Sequence, residues 1–235
     1  MPNTSKHVFK AFRTAFPLTL PVMAGFLFLG ISYGVLMHSI GLGAGWTFLT
    51  SFLVFAGSMQ YVAITLFVAS FNPVYALMVT LMVNARHVFY GVSMLDKLAK
   101  AGRFKPYVIF AMCDETFSIL CTTDIPEDVD SGWFMFFVAF LNRWYWIVGS
   151  LCGTLLGSMI PLSTKGLDFS LTAMFTVIFL NQWSKSDNRP GAIVGVACSL
   201  LCLVIFGTDG FIIPAMALML GVLVLLPKNP IGGEA

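Results

Sequence analysis

The sequence predicts an all-α polytopic membrane protein, a single domain over residues 1–235 with about six full transmembrane helices plus two broken or re-entrant helical segments. Hydrophobic residues make up 58% of the chain and charged residues 10%, with a mean hydropathy of +0.88, an apolar share beyond that of a soluble core. Apolar runs recur at about the 20-residue length that crosses a bilayer. Four charged residues, Arg86, Asp114, Glu115 and Arg143, lie inside such runs. Each costs about 2.5–3.5 kcal/mol at mid-membrane on insertion scales, so together they demand an offsetting role.

The basic start, Lys6, Lys10 and Arg13, precedes an apolar run from Phe16 to Met37. That run is too long for a signal-peptide core and reads as a retained first helix. Pro17 and Pro21 fit an entry turn, with a hinge as the other reading. Further clear spans fall at 73–95, 104–123, 133–160, 190–207 and 211–227.

Segments 46–70 and 168–183 are ambiguous. The first carries Phe55-Ala-Gly-Ser-Met-Gln60 in mid-run, where Gly57 can terminate one half-helix and Ser58 can cap the next. The second has only 16 residues, opening at Asp168 and closing on Asn181-Gln182-Trp183. An unbroken packed helix carrying a Gly and a Ser is the plainer reading of the first.

Sidedness favours the breaks. Lys and Arg gather at the N-terminus, at Lys97–Lys105, at Lys165, at Lys185 and Arg189, and at Lys228, while loop 124–130 is acidic. Treating both ambiguous segments as re-entrant puts every basic loop and both termini in the cytoplasm and the acidic loop outside. The same topology produces an inverted repeat. Residues 16–95 form the first half, 104–123 a linking helix, 133–207 the second half and 211–227 a last helix. Gly30, Gly34, Gly149, Gly153 and Gly157 form ladders that read as close helix-packing faces.

A net charge of +2, spread over short loops, offers nothing to nucleic acid. The five cysteines lack CxxC spacing and a His cluster, so neither a metal nor a disulfide framework is expected. No cofactor motif or ATP-binding sequence appears. HExxH and GxSxG are missing, which counts against an intramembrane enzyme using Asp114, Glu115 and His87.

The polar residues point to one layer. Arg86 lies about 20 Å into its span and Asp114 about 16 Å into the next, and Arg143, beside Asn142, is similarly deep in 133–160. Asn84 and His87 share a helix face. Candidate substrate-binding residues are Gly57, Ser58, Gln60, Asn84, Arg86, Asp114, Asn142 and Arg143. Glu115 and His87 are the candidates for proton coupling. Alternatively, the arginines only neutralise Asp114 and Glu115 and fix helix register.

Five stretches carry a resemblance: Pro17 to Phe26, Phe55-Ala-Gly-Ser-Met-Gln60, Val83-Asn-Ala-Arg-His87, Asp114-Glu115-Thr-Phe117 and Lys165-Gly-Leu-Asp-Phe169. In this order the chain resembles the AzlC family, the large subunit of bacterial branched-chain amino-acid exporters. The resemblance implies export of small apolar amino acids across the inner membrane and a small AzlD-like membrane partner. Proton exchange is the expected energy source. A channel or a structural membrane subunit are the competing functions.

Overall fold

The computed structural model describes residues 4–68, 72–84, 86–159 and 189–225, with isolated positions between 160 and 188. Among these the secondary structure is helical throughout. Among the described residues three helices are long and apolar enough to cross a membrane, Lys6–Ser39, Ser131–Met159 and Arg189–Thr208. The chain forms two units, Met1–Leu171 and Thr172–Ala235.

In the first unit the helices are α1 (Thr4–Ser39), α2 (Ala44–Leu53), α3 (Gly57–Val68), α4 (Pro73–Asn84), α5 (Arg86–Ser93) and α6 (Leu95–Ala99). A 3₁₀ turn (Gly102–Phe104) leads to α7 (Lys105–Phe110), α8 (Asp114–Thr122) and α9 (Ser131–Met159). Local chemistry sets several starts. Asn72 accepts hydrogen bonds from the amides of Val74 and Tyr75, both at 3.1 Å, and Pro73 supplies the preset first helical residue. Asp130 caps α9 through the Trp133 amide at 2.9 Å. Pro17 and Pro21 both lie inside a continuous α1.

Helices α1 and α9 form the spine. Phe12 meets Phe137, Thr19 meets Tyr145, Phe26 meets Trp146 and His38 meets Gly157, so the two run parallel. The glycine ladders set their spacing. A Cβ at Gly30 would stand 2.9 Å from the Ser150 amide nitrogen, and one at Gly149 3.0 Å from the Phe26 carbonyl oxygen. Backbones this close leave no room for any side chain, as expected of a packing face.

Two helical hairpins lean on this spine from opposite ends. Helix α2 runs back along α1 and α9, with Thr47 on Thr154, Thr50 on Tyr33 and Phe52 against Arg143. After residues 54–56 the chain reverses. Tyr61 returns to Tyr33 and donates to the Leu29 carbonyl at 2.8 Å, while Gln60 reaches across to Ser51. Phe55, at the tip, has φ 41°, a left-handed backbone that a bulky residue adopts only under constraint. From the other end, Phe104 packs on Trp133, Tyr107 on Phe136 and Phe110 near Arg143, so α7 climbs along α9. Beyond residues 111–113, Thr116 meets Asn142, and Leu120 is back beside Lys97, which donates to its carbonyl at 2.8 Å.

Arg86 and Tyr90 of α5, then Met94 and Lys97 beyond it, step down α8 from Asp114 to Cys121. An apolar core of Ala11, Ala15, Met94, Leu98, Val108, Phe134 and Val138 closes this end of the unit.

Four expectations are corrected. Segment 104–123 is a hairpin of six- and nine-residue helices, not a crossing. The acidic pair Asp114–Glu115 starts a new helix, where carboxylates favour the amide-rich end, and does not continue the old one. The acidic loop shares an end with the basic N-terminus, and Lys10 forms an ion pair with Asp128. Asp and Glu contribute little to sidedness, so that loop carried no information about its side. The halves 16–95 and 133–207 are not inverted at their first spans, because α1 and α9 are parallel. Gly57 opens α3 and does not close α2.

In the second unit α10 (Arg189–Gly210) and α11 (Ile212–Leu225) pack on each other. Gly207, at φ 71°, interrupts α10 near its end, a conformation open to glycine. The expected second break, 168–183, lies almost wholly outside the described residues.

Candidate functional site

The tips of the two hairpins meet where the sequence placed its charges. Arg86, at the start of α5, donates to the Asp114 carboxylate at 2.6 Å and also to the Ser58 hydroxyl. Tyr90, one turn further along α5, donates to the other Asp114 oxygen at 2.6 Å. One side chain of α5 thus joins the first turn of α3 to the first turn of α8. Both turns present backbone amides, the positive end of a helix dipole, so Asp114 balances Arg86 and two dipoles together. The pair is not sealed, since the Arg86 and Asp114 side chains are 27% and 24% exposed. Removing either partner would strand a partly desolvated charge, at the lower end of the roughly 3–5 kcal/mol seen for buried pairs.

Arg143 faces the complementary ends. It donates to the carbonyl of Phe52, in the last turn of α2, and its guanidinium lies 4.2 Å from the Phe52 ring centre and 4.8 Å from that of Phe110, where α7 ends. A cation at two carbonyl-rich helix ends, sandwiched by rings, is favourable on both counts. Arg143 forms no ion pair with Glu115 among the described residues. The two arginines therefore divide the tips, Arg86 at the amide ends and Arg143 at the carbonyl ends.

Buried amides surround them. Asn142 donates to Thr116 at 3.0 Å and Gln60 to Ser51 at 3.3 Å, and both amides retain a carbonyl oxygen without a partner. The Trp146 indole nitrogen is likewise unpartnered, with its ring against Gly57. Each such orphaned atom in an interior calls for a polar partner, an ordered water or a bound group. Trp146 also stacks on Tyr33, meets Phe26 edge-on and Tyr61 at a tilt, and so forms an aromatic wall.

The other candidates are less central. His87 contacts the carbonyl of Asn84, the last residue of α4, at 3.1 Å and packs edge-on to Tyr90. Asn84 has an unpartnered side-chain oxygen. Glu115 follows Asp114 and is half-buried. No group of three or more metal-ligating side chains occurs among the described residues. Sequence reasoning passed over Tyr90, Thr116, Ser51 and Trp146. Tyr90 was within reach, since i, i+4 spacing from Arg86 puts both on one helix face.

Apolar spans folded about an ionised interior define a polytopic membrane protein with a polar centre. Residues 21–160 match the AzlC protein family. The chain is 52% identical to the branched-chain amino acid transport protein AzlC of Bacillus subtilis, over 96% of this chain and 89% of that protein. It is 39% identical to an uncharacterized membrane protein of Haemophilus influenzae, over 90% and 87% respectively. With inner membrane protein YgaZ of Escherichia coli it shares 21% identity over 76% and 78%. The chain belongs to the AzlC family. No solved structure matches it.

Proposed function

We propose that this chain is a transporter, not an enzyme, that exports branched-chain and related small apolar amino acids across the bacterial inner membrane, driven by the proton gradient. The B. subtilis relative, named for branched-chain amino acid transport, supports the substrate class. The observation that carries the mechanism is the meeting of two opposed hairpin tips at one charged layer. Such broken helices offer amide ends to a carboxylate, and each hairpin can gate one face.

The substrate carboxylate faces the first-turn amides at Gly57 and Ser58 and Arg86, and its ammonium faces Asp114 or Glu115. Phe55, Tyr61 and Phe117 wall the aliphatic side chain. Asn84, Gln60, Asn142 and Arg143 complete the polar lining, and Glu115 with His87 exchanges the proton. The end bearing Lys6, Lys10, Arg13, Lys97, Lys100 and Arg103 faces the cytoplasm by the positive-inside rule, with the N-terminus there, and a full crossing at 168–183 brings Lys228 and the C-terminus to the same side. A small AzlD-like membrane subunit serves as partner.

In proteoliposomes, a pH gradient is expected to drive uphill leucine movement by the wild type, and Glu115→Gln is expected to abolish it while the protein stays folded. Downhill flux that ignores the gradient would identify a channel. Full coupled transport by Glu115→Gln would remove the carboxylate from the mechanism.

A further inference from the structure

We propose that the Arg86–Asp114 ion pair is an internal stand-in for a zwitterion: a bound amino acid opens the pair, its carboxylate taking Arg86 and its ammonium taking Asp114. This deepens the transport reading and rests on it.

The geometry is that of an exchangeable pair. Each partner has a second, neutral hydrogen bond from a different helix. Ser58 of α3 accepts from Arg86, and Tyr90 of α5 donates to Asp114 at 2.6 Å. Each charge therefore keeps an anchor when the two separate. The pair is about a quarter exposed, whereas Ser58, Gln60, Thr116 and Asn142 around the tips are buried. A ligand can reach the pair but not pass behind it. Gln60 and Asn142 hold their unpartnered oxygens at the same tips, spare acceptors for an ammonium.

Charge balance then sets selectivity. A zwitterion satisfies both groups and brings no net charge into the layer. A monocarboxylate leaves Asp114 without a cation, and a monoamine leaves Arg86 without an anion, each stranding a desolvated charge. The exchange also has a mechanical result. Arg86 ties the α3 tip to the α8 tip directly, so a ligand that takes over its contact with Asp114 leaves the two tips joined through α5 by the single Tyr90 bond.

The test compares leucine with 4-methylpentanoate, which lacks the amine, and 3-methylbutylamine, which lacks the carboxylate, by calorimetric binding to the purified full chain. Wild type is expected to bind leucine about a hundredfold or more tighter than either analogue. Asp114→Asn is expected to shift preference toward 4-methylpentanoate by about tenfold or more, and Arg86→Gln toward 3-methylbutylamine by a similar factor, since each leaves one charge. Folded variants that lose all three ligands, or that keep the leucine preference, overturn the exchange. If a single variant does not fold, the double variant Arg86→Gln/Asp114→Asn carries the test, because it strands no charge. It is expected to bind all three weakly and alike, and a retained leucine preference refutes the proposal. Leucine binding by wild type with no discrimination overturns the exchange alone. If wild type binds none of valine, leucine and isoleucine, the transport reading falls too.

Discussion

Replacing Gly34 with alanine tests the spine directly. The added Cβ would stand 2.5 Å from the Thr154 amide nitrogen and press on the Ser150 carbonyl. Ordinary carbon contacts need about 3.5–4.0 Å, so α1 and α9 must separate by roughly 1 Å. Overpacking of this kind costs about 1–3 kcal/mol. Separation also weakens the bond from the Thr154 hydroxyl to the Gly34 carbonyl, at 3.1 Å, for about 1 kcal/mol more. Alanine returns about 1 kcal/mol of helix propensity, leaving a net loss of about 1–3 kcal/mol. For a chain of this size that lowers Tm by roughly 2–12 °C. Gly25, on the same helix, has nothing within 4 Å of its added Cβ. Gly25→Ala therefore gains only the propensity term and is expected to raise Tm by a few degrees. Thermal unfolding of both variants in one detergent reads the difference in sign. A Gly34→Ala protein as stable as wild type would show that the glycine ladder does not set the interhelix distance.

Single cysteines placed at Gly102 and at Glu127 in a cysteine-free background are expected to react with an impermeant thiol reagent from the same membrane face. Labelling from opposite faces would restore 104–123 as a crossing. Tyr90→Phe removes a charge-assisted hydrogen bond to Asp114 and is expected to destabilise the protein by about 1.5–3 kcal/mol. An unchanged melting curve would show that the contact contributes nothing. Lys10 holds the Asp128 carboxyl below the usual carboxylate range. A lowered value means the contribution is complete above the ordinary aspartate pKa and is lost as pH falls through the lowered one. Both groups are exposed, so coupling in a Lys10/Asp128 double-mutant cycle is expected to be small at neutral pH and to vanish in 1 M salt and in acid. Coupling that survives salt would contradict this.

Much of the site was legible because charge inside an apolar run is costly. Arg86, Asp114 and Arg143 stood out for that reason, and Phe55-Ala-Gly-Ser-Met-Gln60 marked a break because its polar residues had no amphipathic period to serve. The second hairpin was hidden. Lys105–Phe110 and Asp114–Thr122 together have the length and apolarity of one crossing, and only three-dimensional contacts with α9 show the reversal. Sidedness of the acidic loop failed for a related reason, since the rule that reads Lys and Arg is nearly blind to Asp and Glu. The pairing of Arg86 with Asp114 and not Glu115, and the turn of Arg143 toward the α2 carbonyls, depend on tertiary placement that no spacing encodes. Arg86 stands 29 positions beyond Gly57, the first residue of α3, and Arg143 stands 29 beyond Asp114, the first of α8.

The shortness of α7 and α8 bears on how the chain is made. At about 1.5 Å per residue they reach only about 9 and 14 Å, far less than the 30 Å hydrocarbon slab. Neither spans the slab by itself, and although α8 also meets the earlier α5, the surface that α7 and α8 share is α9, which leaves the ribosome later. The segment must wait near the headgroups until α9 is synthesised, and α9 must find α1 across more than 90 intervening residues. Biogenesis of this protein thus has a late, concerted step, when spine and hairpin enter the bilayer together.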